Sequence, residues 1–229
     1  MALTLIEQLS HPFSRASALG FTALLYQFRR ETAAAQEQAE AAMAVSTEYH
    51  IGFYLEYARI IRGWSLALQG QGAEGIAEIR QGLAAIQAPG TGVICGTNFL
   101  ALLAEACGLM GYVEEGRAVL TEAMDLMDKT RECYYEAELH RLTGTLLLQQ
   151  TGVDVDKAEA CFHQALAIAR RQEAKALELR AATSLATLWQ SQGKRKEAYD
   201  LLDPVYEWFT EGFDTADLQE AKLLLAELA

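Results

Sequence analysis

LAEACGLMGYVEEGRAVLTEA, residues 103–123, contains the pattern that decides the fold. A small residue, Ala104, is followed three positions later by the apolar Cys107, and Gly111 then marks a turn. Gly116 opens a second segment, with a large and a small apolar residue four and seven positions later. Two antiparallel helices approach closely only where small side chains face large ones, so this stretch predicts a helical hairpin.

The same pattern recurs through the chain at a nearly constant step. The small residue that opens each second helix falls at Ala35, Gly75, Gly116, Ala158 and Ala198, in steps of 40, 41, 42 and 40 residues. One hairpin cannot bury its apolar face alone, whereas stacked hairpins can. We therefore predict an all-α chain of about five hairpins in a single array over residues 1–229. The approximate repeats are 14–50, 54–88, 96–130, 134–173 and 177–211.

Glycine and proline mark where helices end. Gly70, Gly111 and Gly193 lie where a first helix must stop, because glycine tolerates the left-handed conformation there. Pro204 should kink or end the last hairpin's second helix, since it lacks a backbone donor. We expect a capping helix over residues 215–228 to cover the final apolar face. Its apolar stripe consists of Leu218, Ala221, Leu225 and Leu228.

Composition and charge narrow the classes of partner. Hydrophobic residues make up 51% of the 229 residues and the formal net charge is −12. A nucleic-acid binder needs Lys and Arg to replace the counterions on phosphate, so nucleic acid is disfavoured as a partner. An anionic membrane surface is disfavoured for the same reason. Protein partners with basic patches remain open.

Cysteine usage and the first residues indicate a cytoplasmic protein. Met1–Ser10 has no basic region or cleavage pattern typical of a signal peptide. Apolar stretches such as Leu100–Ala106 are far shorter than the ~18 residues that span a bilayer. The four cysteines lack C-x-x-C spacing, which favours free thiols in a reducing compartment. They are Cys95, Cys107, Cys133 and Cys161.

We predict no catalytic residues, no cofactor and no metal. The four histidines are scattered, and zinc needs roughly four converging ligands. Cys133 and His140 would be about 10 Å apart along a helix, which is too far for a nucleophile and its base. Carboxylates are so numerous that close pairs are expected by chance, and no pair has a spacing that singles it out as a general acid and base. Core packing between helices is the expected role of Trp64, Trp189 and Trp208.

The repeat pattern resembles the tetratricopeptide (TPR) repeat, whose signature is W-x2-L-G-x2-Y, then A-x3-F, then P. The step here is longer than that family's usual ~34 residues. The closing proline is mostly missing, and Pro89 alone falls near its place. The resemblance implies a right-handed α-α solenoid in which the first helices of the hairpins line a concave groove.

Several stretches are similar to one bacterial group, the C-terminal TPR region of multidomain cyclase-like and signal-transduction ATPase (STAND) regulators. They are 134–142, 158–166, 178–182, 189–194 and 208–218. The resemblance implies a sensor or scaffold that binds a protein, a peptide or other domains of a parent regulator. No G-x4-G-K-[ST] phosphate loop occurs, so the catalytic functions are not carried over. A detached array, a truncated relative or an excised fragment all remain open.

Projecting the family's inward positions onto this chain gives a candidate groove for a peptide or a helix. Trp64 belongs to this set because its slot tends to face the inner surface in the family. A small-molecule sensing array, a fragment of a cyclase or ATPase regulator and a DNA-binding regulator are the alternatives, and the oligomeric state stays open. The groove set is Gln27, Tyr57, Trp64, Asn98, Glu105, Glu138, Arg141, Arg180, Thr187 and Gln190.

Overall fold

A computed structural model describes residues 11–86 and 96–229, and within them it contains eleven α-helices and no strand. The predicted all-α class is confirmed. The expectations for Met1–Ser10, Pro89 and Cys95 lie outside the described residues. The helices are α1 (Pro12–Phe28), α2 (Thr32–Glu48), α3 (Gly52–Leu68), α4 (Gly72–Ile86), α5 (Gly96–Leu109), α6 (Val113–Thr130), α7 (Glu136–Gln149), α8 (Val155–Arg171), α9 (Lys175–Ser191), α10 (Arg195–Tyr206) and α11 (Ala216–Leu228).

The helices fall into two compact units, one that ends at Tyr112 and one that begins at Val113. In the first unit each helix from α1 to α5 packs on the next, and α3 also contacts α1 and α5. In the second unit the same order runs from α6 to α11, and α9 also contacts α7 and α11. Short turns make the paired helices antiparallel, so the first unit contains the hairpins α1–α2 and α3–α4, and the second contains α7–α8 and α9–α10. A single array over residues 1–229 stays a prediction.

The small residues of the repeat lie at the closest approaches between paired helices. Ala35, Ala158 and Ala198 are completely buried. A Cβ atom built on Gly75 in α4 would collide with the Gly63 carbonyl oxygen in α3. A Cβ on Gly144 in α7 would lie 2.6 Å from the Phe162 ring in α8. The close packing at small residues, which the sequence predicted, therefore joins the two helices of the α3–α4 and α7–α8 hairpins.

Six of the described helices end in the same left-handed turn. At Gly193 the backbone N–H donates to the Gln190 carbonyl, and the next N–H, from Lys194, donates to the Trp189 carbonyl. This pair of bonds satisfies carbonyls at the helix end and requires a positive φ. Gly70, Gly111 and Gly193 adopt φ of 88°, 74° and 78°, as predicted. The same turn occurs at three non-glycine residues, Arg30, His50 and Glu173, with φ of 56°, 56° and 55°.

The end of the second unit follows the prediction, except for one tryptophan. Pro204 lies inside α10, which ends two residues later at Tyr206. The predicted stripe of α11 is buried along its whole length. Trp208 was expected in the core, and that prediction is wrong because 57% of the residue is exposed. The residue stands on the turn after α10, where Lys175 Nζ lies 5.5 Å from its ring centroid.

Candidate interaction surfaces

An aromatic cluster joins the first helices of the first unit. The Tyr57 ring in α3 lies 5.0 Å from Phe99 in α5 and 5.8 Å from Phe21 in α1, both edge to face. Tyr54 meets Phe13 at 5.3 Å in the same manner. Edge-to-face pairs add to the stabilisation from buried area, so the cluster holds α1, α3 and α5 together. Tyr57, a predicted groove residue, is completely buried within it.

Trp64 is buried between α3 and α5 rather than facing a partner. None of its surface is exposed, and its indole Nε1 donates to Glu105 Oε2 at 2.7 Å. The expectation that Trp64 packs in the core is therefore confirmed, and the expectation that its side chain is open to a partner is wrong. The reason is that Glu105, one repeat further along, supplies the hydrogen bond that a buried indole N–H needs. The structure thus brings together two of the predicted groove residues.

Two predicted groove amides are buried without full hydrogen bonding. Asn98 in α5 is fully buried, and neither its Nδ2 nor its Oδ1 has a hydrogen-bond partner among residues 11–86 and 96–229. The Oε1 atom of Gln27 in α1 is also buried without one. Each such atom loses the bonds it would make with water, at a cost of about 1–3 kcal/mol. Replacing such an amide by an apolar side chain of similar size is therefore expected to raise the free energy of unfolding.

An ion network joins the first helices of the second unit. Arg141 in α7 holds Glu138 through two hydrogen bonds of 2.9 and 2.7 Å and contacts Ser184 Oγ in α9 at 3.4 Å. Arg180 in α9 donates from Nε to Asp217 Oδ2 in α11 at 2.7 Å. Its Nη1 lies 3.8 Å from Glu138 Oε1. The network links three first helices and brings together the predicted groove residues Glu138, Arg141 and Arg180.

The buried charges of the second unit are kept ionised by their partners. Burial alone would lower the pKa of the Arg180 guanidinium, but the carboxylates of Glu138 and Asp217 outweigh it and raise that pKa. Burial would likewise raise the pKa of Glu178, yet hydrogen bonds from Lys175 and Arg170 outweigh it and lower that pKa. Arg180 therefore stays positive and Glu178 negative at neutral pH.

The predicted groove residues divide by accessibility. Six are buried, namely Gln27, Tyr57, Trp64, Asn98, Glu138 and Arg180. Glu105 and Arg141 are half-buried and already paired. Thr187 is exposed, and the half-buried Gln190 donates from Nε2 to Glu227 Oε2 at 3.0 Å. Partner binding through this set stays a prediction, and Thr187 is its most accessible member.

An exposed apolar face on α1 was not predicted from the sequence. Phe13, Phe21 and Leu25 expose 52%, 48% and 56% of their surfaces. The sequence does indicate an unusually apolar helix here, because Arg15 is the one charged residue between Pro12 and Phe28. A helix that is apolar nearly all round is expected to be covered on several sides.

Within the described parts of the chain we searched the side chains for a metal centre and the helices for a membrane span. Residues 11–86 and 96–229 contain no group of three or more His, Cys, Asp or Glu side chains that could hold a metal ion. No helix in those ranges combines the length and the apolar character that crossing a bilayer requires. Cys107, Cys133 and Cys161 are free thiols, and Cys107 is the buried one of the three. Burial raises the pKa of the Cys107 thiol.

The fold is similar to that of solved helical-repeat proteins. Over 94% of this chain and 74% of the other, it matches the crystal structure of Bacillus thuringiensis PlcR in complex with the peptide PapR7 and DNA, with a TM-score of 0.73 and 11% identity. Two structures of a Podosopora anserina putative kinesin light chain with TPR-like repeats match with TM-scores of 0.57 and 0.55. Their identities are 20% and 18%, over 86% and 96% of this chain and 95% and 98% of theirs. The fold is a TPR-type helical repeat.

In sequence, 183 residues, 80% of this chain, are 29% identical to the uncharacterized protein R02095 of Rhizobium meliloti (strain 1021). The match spans 18% of that relative's length. No family model matches the chain.

Proposed function

We propose that this chain is a protein-interaction scaffold, a regulatory or sensor module of a bacterial signalling protein that binds a peptide or a helix. The fold supports this because helical hairpins stack through one face and present the other faces to partners. PlcR, whose fold is similar, was crystallised in complex with the peptide PapR7 and DNA. The relative from Rhizobium meliloti is much longer than the matched region, which favours interdomain binding as one form of this function.

The observation that carries the proposal is the exposed apolar surface on a hairpin repeat. Phe13 and Phe21 are about half exposed while their rings contact the buried Tyr54. Rigid aromatic side chains held in this way are typical anchors of protein interfaces. We further infer that the chain acts in the cytoplasm without catalysis. With a net charge of −12, its partner is a protein rather than a nucleic acid.

Site-directed photo-crosslinking in cells tests whether a first-helix face meets a partner. A photoreactive phenylalanine analogue replaces Thr187, which is exposed on the first helix α9. The matched control carries the analogue at Gln164, which is exposed on the second helix α8 of the same unit. We expect Thr187 to give one discrete crosslinked protein and Gln164 to give none. Equal products from both positions, or none from Thr187, would contradict binding through the first helices.

A further inference from the structure

The turn between α10 and α11 carries exposed aromatic side chains that rest on buried ones. Trp208 and Phe213 expose 57% and 43% of their surfaces. The Trp208 ring meets the Phe209 ring edge to face, with 5.1 Å between the centroids. The Phe213 ring lies 5.9 Å from the Tyr206 ring. Phe209 and Tyr206 pack against the buried core of the second unit, so the two exposed rings have the fixed support that interface anchors need.

The segment that contains this turn has only negative charges. From Glu197 to Ala221 the chain contains eight Asp or Glu residues and no Lys or Arg. Three of these carboxylates are exposed and have no hydrogen-bond or ion-pair partner within residues 11–86 and 96–229, namely Glu207, Glu211 and Asp214. Glu207 directly precedes Trp208 and Asp214 directly follows Phe213, so uncompensated negative charge accompanies both exposed rings. Such a surface attracts cations.

The Trp208 ring already holds one cation, so its orientation suits this kind of contact. Lys175 Nζ lies 5.5 Å from the ring centroid, and the same ammonium lies 2.8 Å from Glu178 Oε2. A cation within about 6 Å of an aromatic centroid is attracted by the ring. Arg170, at the end of α8, is bonded to the same carboxylate, which compensates part of the positive charge here. More than half of Trp208 stays exposed with Lys175 in place, so ring surface is left for a second cation.

The charge of the turn also decides between kinds of occupant. Nucleic acid and an anionic membrane surface would both be repelled by three uncompensated carboxylates. A second copy of this chain is disfavoured as well, because in a two-fold contact the same acidic segment would face itself. A basic polypeptide matches both features of the turn, since arginine pairs with carboxylates and also stacks on aromatic rings.

We propose that the turn formed by residues 207–214 binds an arginine-rich segment of a partner protein. Guanidinium groups of that segment pair with the exposed carboxylates of the turn, and one of them stacks on the exposed part of the Trp208 ring. Phe213 supplies an apolar contact beside them. This assignment rests on the proposed function in requiring a polypeptide partner, and it deepens that function by naming the chemistry of the partner.

The test measures binding of labelled peptides to the full chain by fluorescence anisotropy at physiological ionic strength. One peptide repeats Arg-Ala-Ala, and its counterpart has the uncharged analogue citrulline in place of every arginine. We expect the arginine peptide to bind at least tenfold more tightly. Trp208→Leu keeps an apolar side chain but removes the ring, so it should weaken the arginine peptide about two- to fivefold, the effect of one exposed cation–π contact. Lys175→Gln should tighten binding, because it uncovers the ring and removes a competing positive charge.

Two triple variants make the same change in net charge at different places. Glu207→Gln, Glu211→Gln and Asp214→Asn together should weaken the arginine peptide about tenfold, the combined effect of three exposed ion pairs. The matched control should leave the affinity nearly unchanged. It removes three exposed carboxylates of α6 in the same unit through Glu122→Gln, Asp125→Asn and Asp128→Asn.

Circular dichroism of each variant verifies that the helices remain folded. The proposal is overturned if the citrulline peptide binds as tightly as the arginine peptide, or if Trp208→Leu leaves the affinity unchanged. It is also overturned if Lys175→Gln weakens binding, or if the α6 variant weakens it as much as the variant of the turn. Crosslinking at Thr187 reports on the first helix α9 and does not involve the turn, so the two proposals can fail separately.

Discussion

Replacing Gly75 by alanine tests the packing on which the repeat depends. Gly75 lies in α4 against Gly63 and Ala67 of α3, and helix α3 approaches it with backbone rather than with flexible side chains. An added Cβ would meet the Gly63 carbonyl oxygen and lie 2.8 Å from the Ala67 backbone nitrogen. Optimal carbon contacts are about 3.5–4.0 Å, so the two helices would have to separate by roughly 0.7 Å or more.

The expected change in stability follows from two opposing effects. Overpacking of a tight interface costs about 1–3 kcal/mol, and backbone on both sides places this substitution near the upper value. Alanine inside a helix gains about 1 kcal/mol over glycine. We therefore expect Gly75→Ala to lower the free energy of unfolding by about 2 kcal/mol. For a chain of this length that corresponds to a Tm lower by roughly 4–8 °C.

Gly20→Ala is the matched control in the same unit. Gly20 lies in the interior of α1, and an added Cβ would be 3.5 Å from Tyr54 Cδ1, an ordinary contact. Here only the helix-propensity gain remains, so the Tm should rise by about 2–4 °C. Thermal melts followed by far-UV circular dichroism measure both variants. If the Tm of Gly75→Ala equals or exceeds that of the wild type, the conclusion that close helix packing requires a small residue at this position is refuted.

Four further outcomes follow from individual residues. Glu173→Gly should raise the Tm, because glycine relieves a left-handed φ that costs a side chain about 1 kcal/mol. Arg180→Met should lower the free energy of unfolding by about 3–5 kcal/mol in urea titrations, since the buried carboxylates of Asp217 and Glu138 lose the positive charge that faces them. Asn98→Leu should raise that free energy by about 1 kcal/mol, because an unpartnered amide is removed; a decrease would show that the amide is bonded. Burial lowers the pKa of His140 despite the opposing Glu136, so its neutral form is favoured on folding. Stability should therefore fall as pH drops below 6.5, and His140→Leu should reduce that loss in pH-dependent melts.

Local steric rules explain why the hairpins could be predicted from sequence. The contact between Gly144 and Phe162 depends on residues within one hairpin, so its small and large members recur at fixed spacings. Helix ends were predicted wherever glycine supplies the left-handed residue, as at Gly111. The equivalent turns at His50 and Glu173 gave no such signal, because the tertiary packing imposes the positive φ on side chains that ordinarily avoid it.

The accessibility of the candidate groove could not be predicted in the same way. Whether Trp64 faces solvent depends on Glu105, which is 41 residues away and contributes a carboxylate that the family pattern does not specify. The prediction for Trp208 was wrong in the opposite sense, because a residue expected in the core is exposed. It follows Pro204 closely, and the turn after the shortened helix leaves its ring outside the core. The burial of Trp64 and the exposure of Trp208 both depend on how helices and turns pack against one another. The sequence pattern predicts the individual helices and turns but not this packing.

The spacing of the long-range side-chain bonds explains why the inner positions are occupied. Trp64 bonds a residue 41 positions away, and Arg180 and Gln190 each bond one 37 positions away, close to one repeat. Polar side chains of one first helix are therefore used to hold the next first helix. Such nearest-neighbour bonds stabilise a repeat protein, but they also use the groups that a polar groove would offer to a partner. The side chains left for recognition are those that repeat-to-repeat packing does not use, such as Thr187, which is exposed on α9.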